Sequence, residues 1–212
     1  MAGNALIWGA NGGIGRALAR ALKQDGWEVL GVGRQSERFD DLGIAGFDAD
    51  VAKDDQVAAA AMWAAREAGE INLWVYAVGE IIAKPAADLT KDEWAATMAA
   101  NVTGAQTAVR HSLPLLADKA QLVFLGAYVE RIMLPKMSAY AAAKAALDAY
   151  TQTLAKELRD KRVTLVRAPA VATPFWDKLP FKLPLKGTIQ PEDVAAAIIK
   201  AHAEGQRGVL EL

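Results

Sequence analysis

The sequence predicts an α/β fold, a single doubly wound domain whose parallel sheet of about seven strands is flanked by helices. Short apolar runs alternate with longer helical segments, which is the pattern of a parallel sheet with crossover helices. Several of these runs are apolar throughout, as expected for strands that helices cover on both faces. The 212 residues, 53% of them hydrophobic, suffice for one buried core and are few for two. We therefore predict one domain over residues 1–212.

The predicted elements follow one another along the chain. Strands are expected at residues 5–9, 28–33, 46–48, 73–78, 121–126, 163–168 and 209–212. Helices are expected at residues 14–25, 55–68, 91–117, 139–160 and 192–204. Thr90 and Glu93 have the spacing of a capping box, Ser138 is expected to cap the helix that follows it, and Pro191 begins a helix. Right-handed crossovers between such elements place a ligand at the carboxyl ends of the strands.

Composition excludes several classes of function. A net charge of −1 gives no electrostatic reason to expect nucleic acid or an anionic membrane as a partner. Because cysteine is absent and the two histidines are far apart in sequence, neither a disulfide nor a metal site is predicted. The first residues lack the basic segment and apolar core of a signal peptide, and no apolar run reaches the length of a spanning helix. We expect a cytoplasmic protein that acts on a small molecule.

A glycine-rich turn follows the first predicted strand and begins the first predicted helix. Glycine permits positive φ angles and, having no Cβ, lets a pyrophosphate approach the backbone, while the free N–H groups and dipole of the helix attract the phosphates. A purely structural strand-to-helix turn is the alternative. The position in the chain favours nucleotide binding. The predicted binding residues are Gly9, Asn11, Gly12, Gly13, Ile14 and Gly15.

The end of the second predicted strand indicates which nucleotide binds. A carboxylate at this point would bind the ribose hydroxyls of the adenosine and repel a 2′-phosphate. The chain has Arg34 there, whose guanidinium suits a phosphate. Arg34 as an ordinary solvated loop residue is the alternative. We predict NADPH or NADP as the cofactor in preference to NADH.

Tyr140 and Lys144 are the predicted catalytic pair. Residues four apart share one face of a helix, so the phenol and the ammonium can reach the same substrate. A free phenol titrates near pH 10, too high for efficient proton exchange at neutral pH. We expect the neighbouring ammonium to lower the pKa of Tyr140.

The spacing of Gly9, Gly13 and Gly15, together with that of Tyr140 and Lys144, resembles the short-chain dehydrogenase/reductase family. The resemblance implies a Rossmann-type fold, NAD(P) binding and oxidoreductase activity, and it extends through most of the chain. It implies that Tyr140 passes a proton to a carbonyl oxygen as hydride reaches the carbon, and that Lys144 also holds the ribose of the nicotinamide. The family assembles through two long helices that match residues 91–117 and 139–160, so a homodimer or homotetramer is expected.

Further residues take roles by this resemblance. Asn101 matches an asparagine that anchors a proton-relay water and is the third expected catalytic residue. Tyr76 begins a segment that shares Ala77 and Gly79, though not the whole motif, with the family's Asn-Asn-Ala-Gly. The other cofactor-binding residues implied by the resemblance are Asp50 and Val51 at the adenine, Ala77, Val78 and Gly79 after the fourth strand, and Pro169, Val171 and Thr173 after the sixth.

The chain departs from the family where a serine normally polarises the substrate carbonyl. Counting back thirteen residues from Tyr140 gives Ala127. Three explanations stay open: the Tyr128 hydroxyl replaces the serine, the substrate needs little polarisation, or the protein binds NADPH without turnover. The Gly126-Ala127 pair resembles the dihydropteridine reductases, which lack this serine, although that group generally prefers NADH and Arg34 indicates NADPH.

The predicted function is therefore NADPH-dependent reduction of a carbonyl or quinonoid-imine substrate. A dihydropteridine-reductase-like enzyme is one alternative, and a catalytically silent NADP(H) sensor or regulatory protein is another. Residues 174–187 form the longest irregular stretch; it is interpreted either as a lid over the substrate or as a segment that is packed permanently on its own subunit.

Overall fold

The computed structural model describes residues 3–180 and 187–212. Within these residues, seven parallel strands form one sheet in the order β3-β2-β1-β4-β5-β6-β7, which confirms the predicted doubly wound fold. The strands are β1 Asn4–Trp8, β2 Glu28–Gly33, β3 Ala45–Asp48, β4 Ile71–Tyr76, β5 Leu116–Leu125, β6 Arg162–Arg167 and β7 Gly208–Glu211. The helices are α1 Gly13–Gln24, α2 Asp54–Ala68, α3 Lys91–Met98, α4 Gly104–Ser112, α5 Val129–Ile132, α6 Ser138–Glu157 and α7 Pro191–Ala203.

Both faces of the sheet are buried, which explains why the central strands carry apolar side chains on both faces. On β1, Leu6 and Trp8 enter the core on one face, and Ala5 and Ile7 enter the core on the other. Successive side chains of a strand point to opposite faces, so a strand between two helical layers must be apolar at odd and even positions alike. One layer contains α1 and α7, and the other contains α2, α4 and α6.

The helix predicted over residues 91–117 is confirmed from Lys91 to Ser112, but residues 113–117 do not belong to it. It is divided into α3 and α4 by a π-helical turn, Ala99–Thr103, and α4 ends at Ser112. Pro114 lies in the 3-10 turn that follows, where its missing N–H and its ring prevent the helix from continuing. Strand β5 begins at Leu116, which pairs with Ile71, so it starts five residues before the predicted strand at 121.

Of the three helix starts that the sequence predicted, two are confirmed and one is wrong. Thr90 and Glu93 form the capping box, and Pro191 begins α7, both as expected. The expectation that Ser138 caps α6 is wrong, because Ser138 is the first helical residue and Met137 precedes it without a side-chain cap. Among residues 3–180 and 187–212, every helix is too short or too polar to span a lipid bilayer.

The packing of α7 on the rest of the chain makes stability dependent on pH. The imidazole of His202 meets the edge of Trp27 with ring centroids 5.1 Å apart, and its buried Nδ1 has no hydrogen-bond partner among the described residues. Burial, reinforced by the charge of Arg162, lowers the pKa of His202 to about 4. Because the folded pKa lies below the ordinary value near 6.5, the neutral ring stabilises the fold above that pH. The contribution is lost as the pH falls towards 4.

We expect His202→Phe to reduce this pH dependence, because phenylalanine keeps the aromatic contact and does not ionise. The unfolding free energy of the unsubstituted protein should lose about 1–2 kcal/mol more between pH 7 and pH 5 than that of the variant. Urea titrations at the two pH values measure the difference. An equal loss in both proteins would contradict the role given to His202.

Candidate active site

The carboxyl ends of the central strands border one cleft of about 770 Å³. The structure brings most of the predicted site residues to its walls. They are Gly9, Asn11, Gly12, Gly13, Ile14, Arg34, Asp50, Val51, Ala77, Val78, Gly79, Tyr140, Lys144, Pro169, Val171 and Thr173. Two predicted residues, Gly15 and Asn101, are not part of the wall and lie behind it. Their contacts show that they shape the cleft from there.

The glycine turn needs its glycines for space. Gly9 has a φ of +87°, and a Cβ there would lie 2.8 Å from the backbone of Ala77. A Cβ on Gly15 would lie 2.3 Å from the carbonyl oxygen of Gly9, so Gly15 lets α1 start directly against β1. Gly12 precedes α1 without any side-chain cap on the first turn. Gly13 and Ile14 at the start of α1 line the cleft, so the uncapped N–H groups of this first turn are suited to an anion.

The segment after β6 packs directly on this turn. A Cβ on Gly13 would lie 2.3 Å from Cγ2 of Thr173, so only a glycine allows the two segments to touch. Asn11 is fixed from the other side, since its Nδ2 donates to the carbonyl of Gln35 at 2.6 Å. Gly33 is a site residue that the sequence analysis missed: a Cβ there would overlap the side chain of Asn11. The only available signal was its place at the end of the second strand.

Arg34 follows β2 at one end of the cleft. Its side chain is exposed and forms no hydrogen bond or ion pair with any residue that the structure describes. The nearby carboxylate of Asp50 accepts from the N–H of Ala52 at 3.0 Å, so it is partly satisfied within its own loop. A guanidinium without a partner among the described residues, lining the same cleft as the start of α1, is suited to a phosphate.

Tyr140 and Lys144 lie together in the wall of the cleft. Both belong to α6, and each is only 5% exposed. The Nζ of Lys144 donates to the carbonyl of Leu125 at 2.8 Å and lies 5.7 Å from the centroid of the Tyr140 ring. The Tyr140 hydroxyl has no hydrogen-bond partner among the described residues, which leaves it available to a substrate. The structure thus places the two side chains as their spacing predicts.

The protonation of this pair corrects the sequence analysis. Burial raises the pKa of Tyr140 above its ordinary value, so the prediction that Lys144 lowers it is wrong in this structure. Burial also lowers the pKa of Lys144 to about 8. Removal from water disfavours the charged form of each group, and burial is the cause of both shifts. Tyr140 therefore carries its proton at neutral pH, as a proton donor must.

Asn101 lies behind the cleft in the π-helical turn. Its Nδ2 donates to the carbonyls of Glu80 at 2.7 Å and Thr97 at 2.9 Å, while its buried Oδ1 has no partner in the part of the chain that the structure describes. The widened turn leaves the carbonyl of Ala100 to accept from the Tyr76 hydroxyl at 2.7 Å. An unpartnered buried acceptor of this kind is suited to an ordered water.

The position that carries a serine in the resemblance is apolar here. Ala127 presents a methyl group to the cleft. The neighbouring Tyr128 hydroxyl donates to the carbonyl of Leu212 at 2.9 Å. That bond directs the hydroxyl to the C-terminal strand, which disfavours the explanation that Tyr128 replaces the missing serine.

The end of the cleft around Tyr140 is walled by apolar side chains. Tyr140 packs with Ile81 and Met137. The centroid of the Phe175 ring lies 5.8 Å from the centroid of the Tyr140 ring. The indole of Trp176 is held by a 2.9 Å hydrogen bond to the carbonyl of Val171. Thus residues 174–178 of the irregular stretch pack on their own chain, whereas residues 181–186 lie outside the described part.

Glu80 joins three parts of this region. Its backbone carbonyl accepts from Asn101, and its carboxylate accepts from the N–H of Ile81 at 3.0 Å and from Nζ of Lys178 at 2.6 Å. The ion pair crosses the cleft from the loop after β4 to the segment after β6. Among the described residues, no group of three or more acidic or histidine side chains is arranged to hold a metal ion.

Comparison with known proteins identifies the family. The sequence profile of the family described as short chain dehydrogenase matches residues 3–182. The chain belongs to the short-chain dehydrogenase/reductase family. It is therefore an oxidoreductase of that family, and its seven-stranded sheet is the sheet of the family's known structures.

Individual relatives agree with this assignment. An uncharacterised oxidoreductase of Bacillus subtilis is 31% identical over 170 residues, which are 76% of this chain and 64% of that protein. A short-chain oxidoreductase from Thermus thermophilus superposes with a TM-score of 0.81 at 34% identity, covering 93% of this chain and 94% of the other. An alcohol dehydrogenase from Thermococcus sibiricus, solved with 5-hydroxy-NADP, gives a TM-score of 0.86 at 25% identity over 100% of this chain and 96% of its own.

The π-helical turn of this short-chain dehydrogenase/reductase can be tested through Gly104. A Cβ there would lie 2.6 Å from the Tyr76 hydroxyl oxygen and 2.8 Å from Val51, so we expect Gly104→Ala to destabilise the protein although alanine favours helices. The free energy of unfolding, measured in urea, should fall by about 1–3 kcal/mol. In a Tyr76→Phe background the loss should be smaller, because the nearest atom is gone. Equal losses in the two backgrounds would disprove this contact.

Proposed function

We propose that the protein is an NADPH-dependent reductase that transfers hydride to a carbonyl or quinonoid-imine substrate, with Tyr140 as the proton donor. One observation carries the proposal. The buried pair of Tyr140 and Lys144 and the glycine turn with the unpaired Arg34 line a single cleft. A nucleotide held by its phosphates at one end would place its reactive ring towards the other.

The residues around the cleft fit this cofactor. The glycine turn and the N-terminus of α1 would bind the pyrophosphate, and Arg34 the 2′-phosphate. Asp50 and Val51 would contact the adenine. Ala77, Val78 and Gly79 would border the ribose, and Pro169, Val171 and Thr173 would border the nicotinamide. When bound, the reduced nicotinamide supplies the hydride.

The protein's own part in the reaction is to supply and replace a proton. Tyr140 keeps its proton in the apolar wall and would donate it to the substrate oxygen or nitrogen as the new C–H bond forms. Lys144, held by Leu125, would orient the ribose and stand beside the phenolate that Tyr140 becomes. The unpartnered Oδ1 of Asn101 would hold the water through which the proton is replaced.

The cofactor preference rests on charge. Arg34 lies at the end of β2, and no carboxylate of the described residues neutralises it. The related alcohol dehydrogenase from Thermococcus sibiricus was solved with an NADP derivative, which supports a cofactor that carries the 2′-phosphate. NADH lacks this phosphate and would leave Arg34 without its partner.

A second candidate function follows from Ala127. With a methyl group at this position and the Tyr128 hydroxyl bonded to Leu212, the substrate oxygen has no second donor from these two residues. A quinonoid substrate, already electron-poor, needs less polarisation than a ketone. A dihydropteridine-reductase-like activity is therefore the second proposal. A silent NADP(H) sensor is less well supported, because binding alone would not need Tyr140 and Lys144 buried together.

We also propose that the protein assembles as a homodimer or homotetramer through α3, α4 and α6. The support is that α3 and α6 pack side by side and that α3 carries an exposed tryptophan, Trp94. A large exposed apolar side chain on such a helix favours a protein partner.

The proton-donor role predicts the result of Tyr140→Phe. Turnover should fall by about 10²-fold or more, because the positioned acid is lost, while affinity for NADPH should change little. Consumption of NADPH with diketones, quinones and quinonoid dihydropterin measures turnover, and a fluorescence titration measures affinity. Tyr150→Phe is the matched control: Tyr150 lies on the same helix, packs against Phe124 and does not line the cleft. Full activity of Tyr140→Phe would refute the mechanism.

The role of Arg34 predicts a change of cofactor preference. Arg34→Asp replaces a phosphate-binding guanidinium with a carboxylate that repels the 2′-phosphate. The Kd for NADPH should rise by about 10–100-fold, while that for NADH should stay constant or improve. Titration of both cofactors into both proteins at one salt concentration decides the question. Equal affinity of the unsubstituted protein for NADH and NADPH would defeat the assignment.

A further inference from the structure

The end of the cleft around Tyr140 contains a positive charge that the proposed reaction does not use. Arg131 lines this end of the cleft and forms no ion pair with any residue in the described ranges. Lys178, the other exposed cation there, is neutralised by Glu80 at 2.6 Å. Lys144 is buried and bonded to Leu125. The guanidinium of Arg131 therefore remains available at the cleft edge to an anion from solution.

The guanidinium is also held in place. Its Cζ lies 4.1 Å from the centroid of the Tyr128 ring, which is the arrangement of a cation on an aromatic face. The Tyr128 hydroxyl is in turn fixed by its 2.9 Å hydrogen bond to Leu212. An arginine that a ring holds in position loses less side-chain entropy when it binds a planar anion.

The surroundings of Arg131 define the rest of the ligand. Ile132, Leu134 and Met137 line the cleft beside it, and the rings of Phe175 and Trp176 line it beside Tyr140. Burying a charged body in such walls would be costly, whereas a flat apolar body gains from them. The walls and the cation together suit a molecule with an apolar, ring-sized body and an anionic group at one end.

We propose that Arg131 is the binding residue for a carboxylate of the substrate, and that the substrate class is an apolar, ring-containing carbonyl or quinonoid compound that carries this carboxylate. The carbonyl part of the statement rests on the proposed function. The anion subsite itself rests on Arg131, Tyr128 and the apolar walls. Because residue 127 is an alanine, its side chain donates no hydrogen bond to the substrate, and Tyr140 is the donor to the reacting group. Arg131 would then hold the substrate at a second point, through its carboxylate.

Binding of an unreactive probe pair tests the subsite without any turnover. The probes are 2-naphthoate and its neutral isostere 2-naphthamide, titrated calorimetrically into the protein with and without saturating NADP. We expect the carboxylate to bind about 10–100-fold more tightly than the amide, the worth of a charge-assisted hydrogen bond. Arg131→Met should remove most of this preference and leave the affinity for the amide unchanged. The preference of Arg131→Lys for the carboxylate should lie between that of the unsubstituted protein and that of Arg131→Met.

Arg34→Met is the matched control, because it removes the other unpaired guanidinium of the cleft. The preference for the carboxylate should survive in this variant, and circular dichroism and thermal midpoints establish that each variant is folded. Equal binding of both probes, binding of neither, or an undiminished preference in Arg131→Met would overturn the proposal. So would loss of the preference in Arg34→Met, since the anion would then occupy the phosphate end.

These titrations, together with the turnover of Tyr140→Phe, distinguish failure of the anion subsite from failure of the proposed reductase. If NADP fails to bind while the carboxylate preference depends on Arg131, the reductase assignment fails and the subsite stands. If NADP binds and Tyr140→Phe abolishes turnover while Arg131→Met leaves the probe preference intact, the reductase stands and the subsite fails.

Discussion

The hydrogen bond from Lys144 to the carbonyl of Leu125 is the interaction on which the candidate site depends. It ties α6 to the carboxyl end of β5 and holds a lysine in a wall where burial alone lowers its pKa to about 8. Tyr140, one turn earlier on the same face, is thereby placed in the same apolar wall, and its pKa rises. The contact between α6 and β5 thus keeps both groups of the pair buried in one wall of the cleft.

The segment after β6 contacts both ends of the cleft. Thr173 lies against Gly13 in the glycine turn, and the ion pair of Lys178 with Glu80 connects the same segment after β6 to the loop after β4. The part of the site that would hold the phosphates and the part that would hold the substrate thus share one segment.

The π-helical turn shows how a departure from the family motif is accommodated. Tyr76 replaces the first asparagine of the resembled motif, and its hydroxyl bonds to Ala100 in the turn that carries Asn101. The space for that hydroxyl exists because residue 104 is a glycine. Tyr76 therefore contacts the turn that carries Asn101, although Tyr76 itself does not line the cleft.

The sequence by itself determined the fold class, the family and the positions of Tyr140 and Lys144, because strand periodicity, glycine spacing and helical spacing are local patterns. It did not determine where the helix after Lys91 ends, since Pro114 and the pairing of Leu116 with Ile71 act together. Only the tertiary structure decided that burial raises the pKa of Tyr140, that the Tyr128 hydroxyl is bonded to Leu212, and that Arg131 has no ion-pair partner among the described residues. These depend on which distant residues surround a group, and sequence spacing carries no such information.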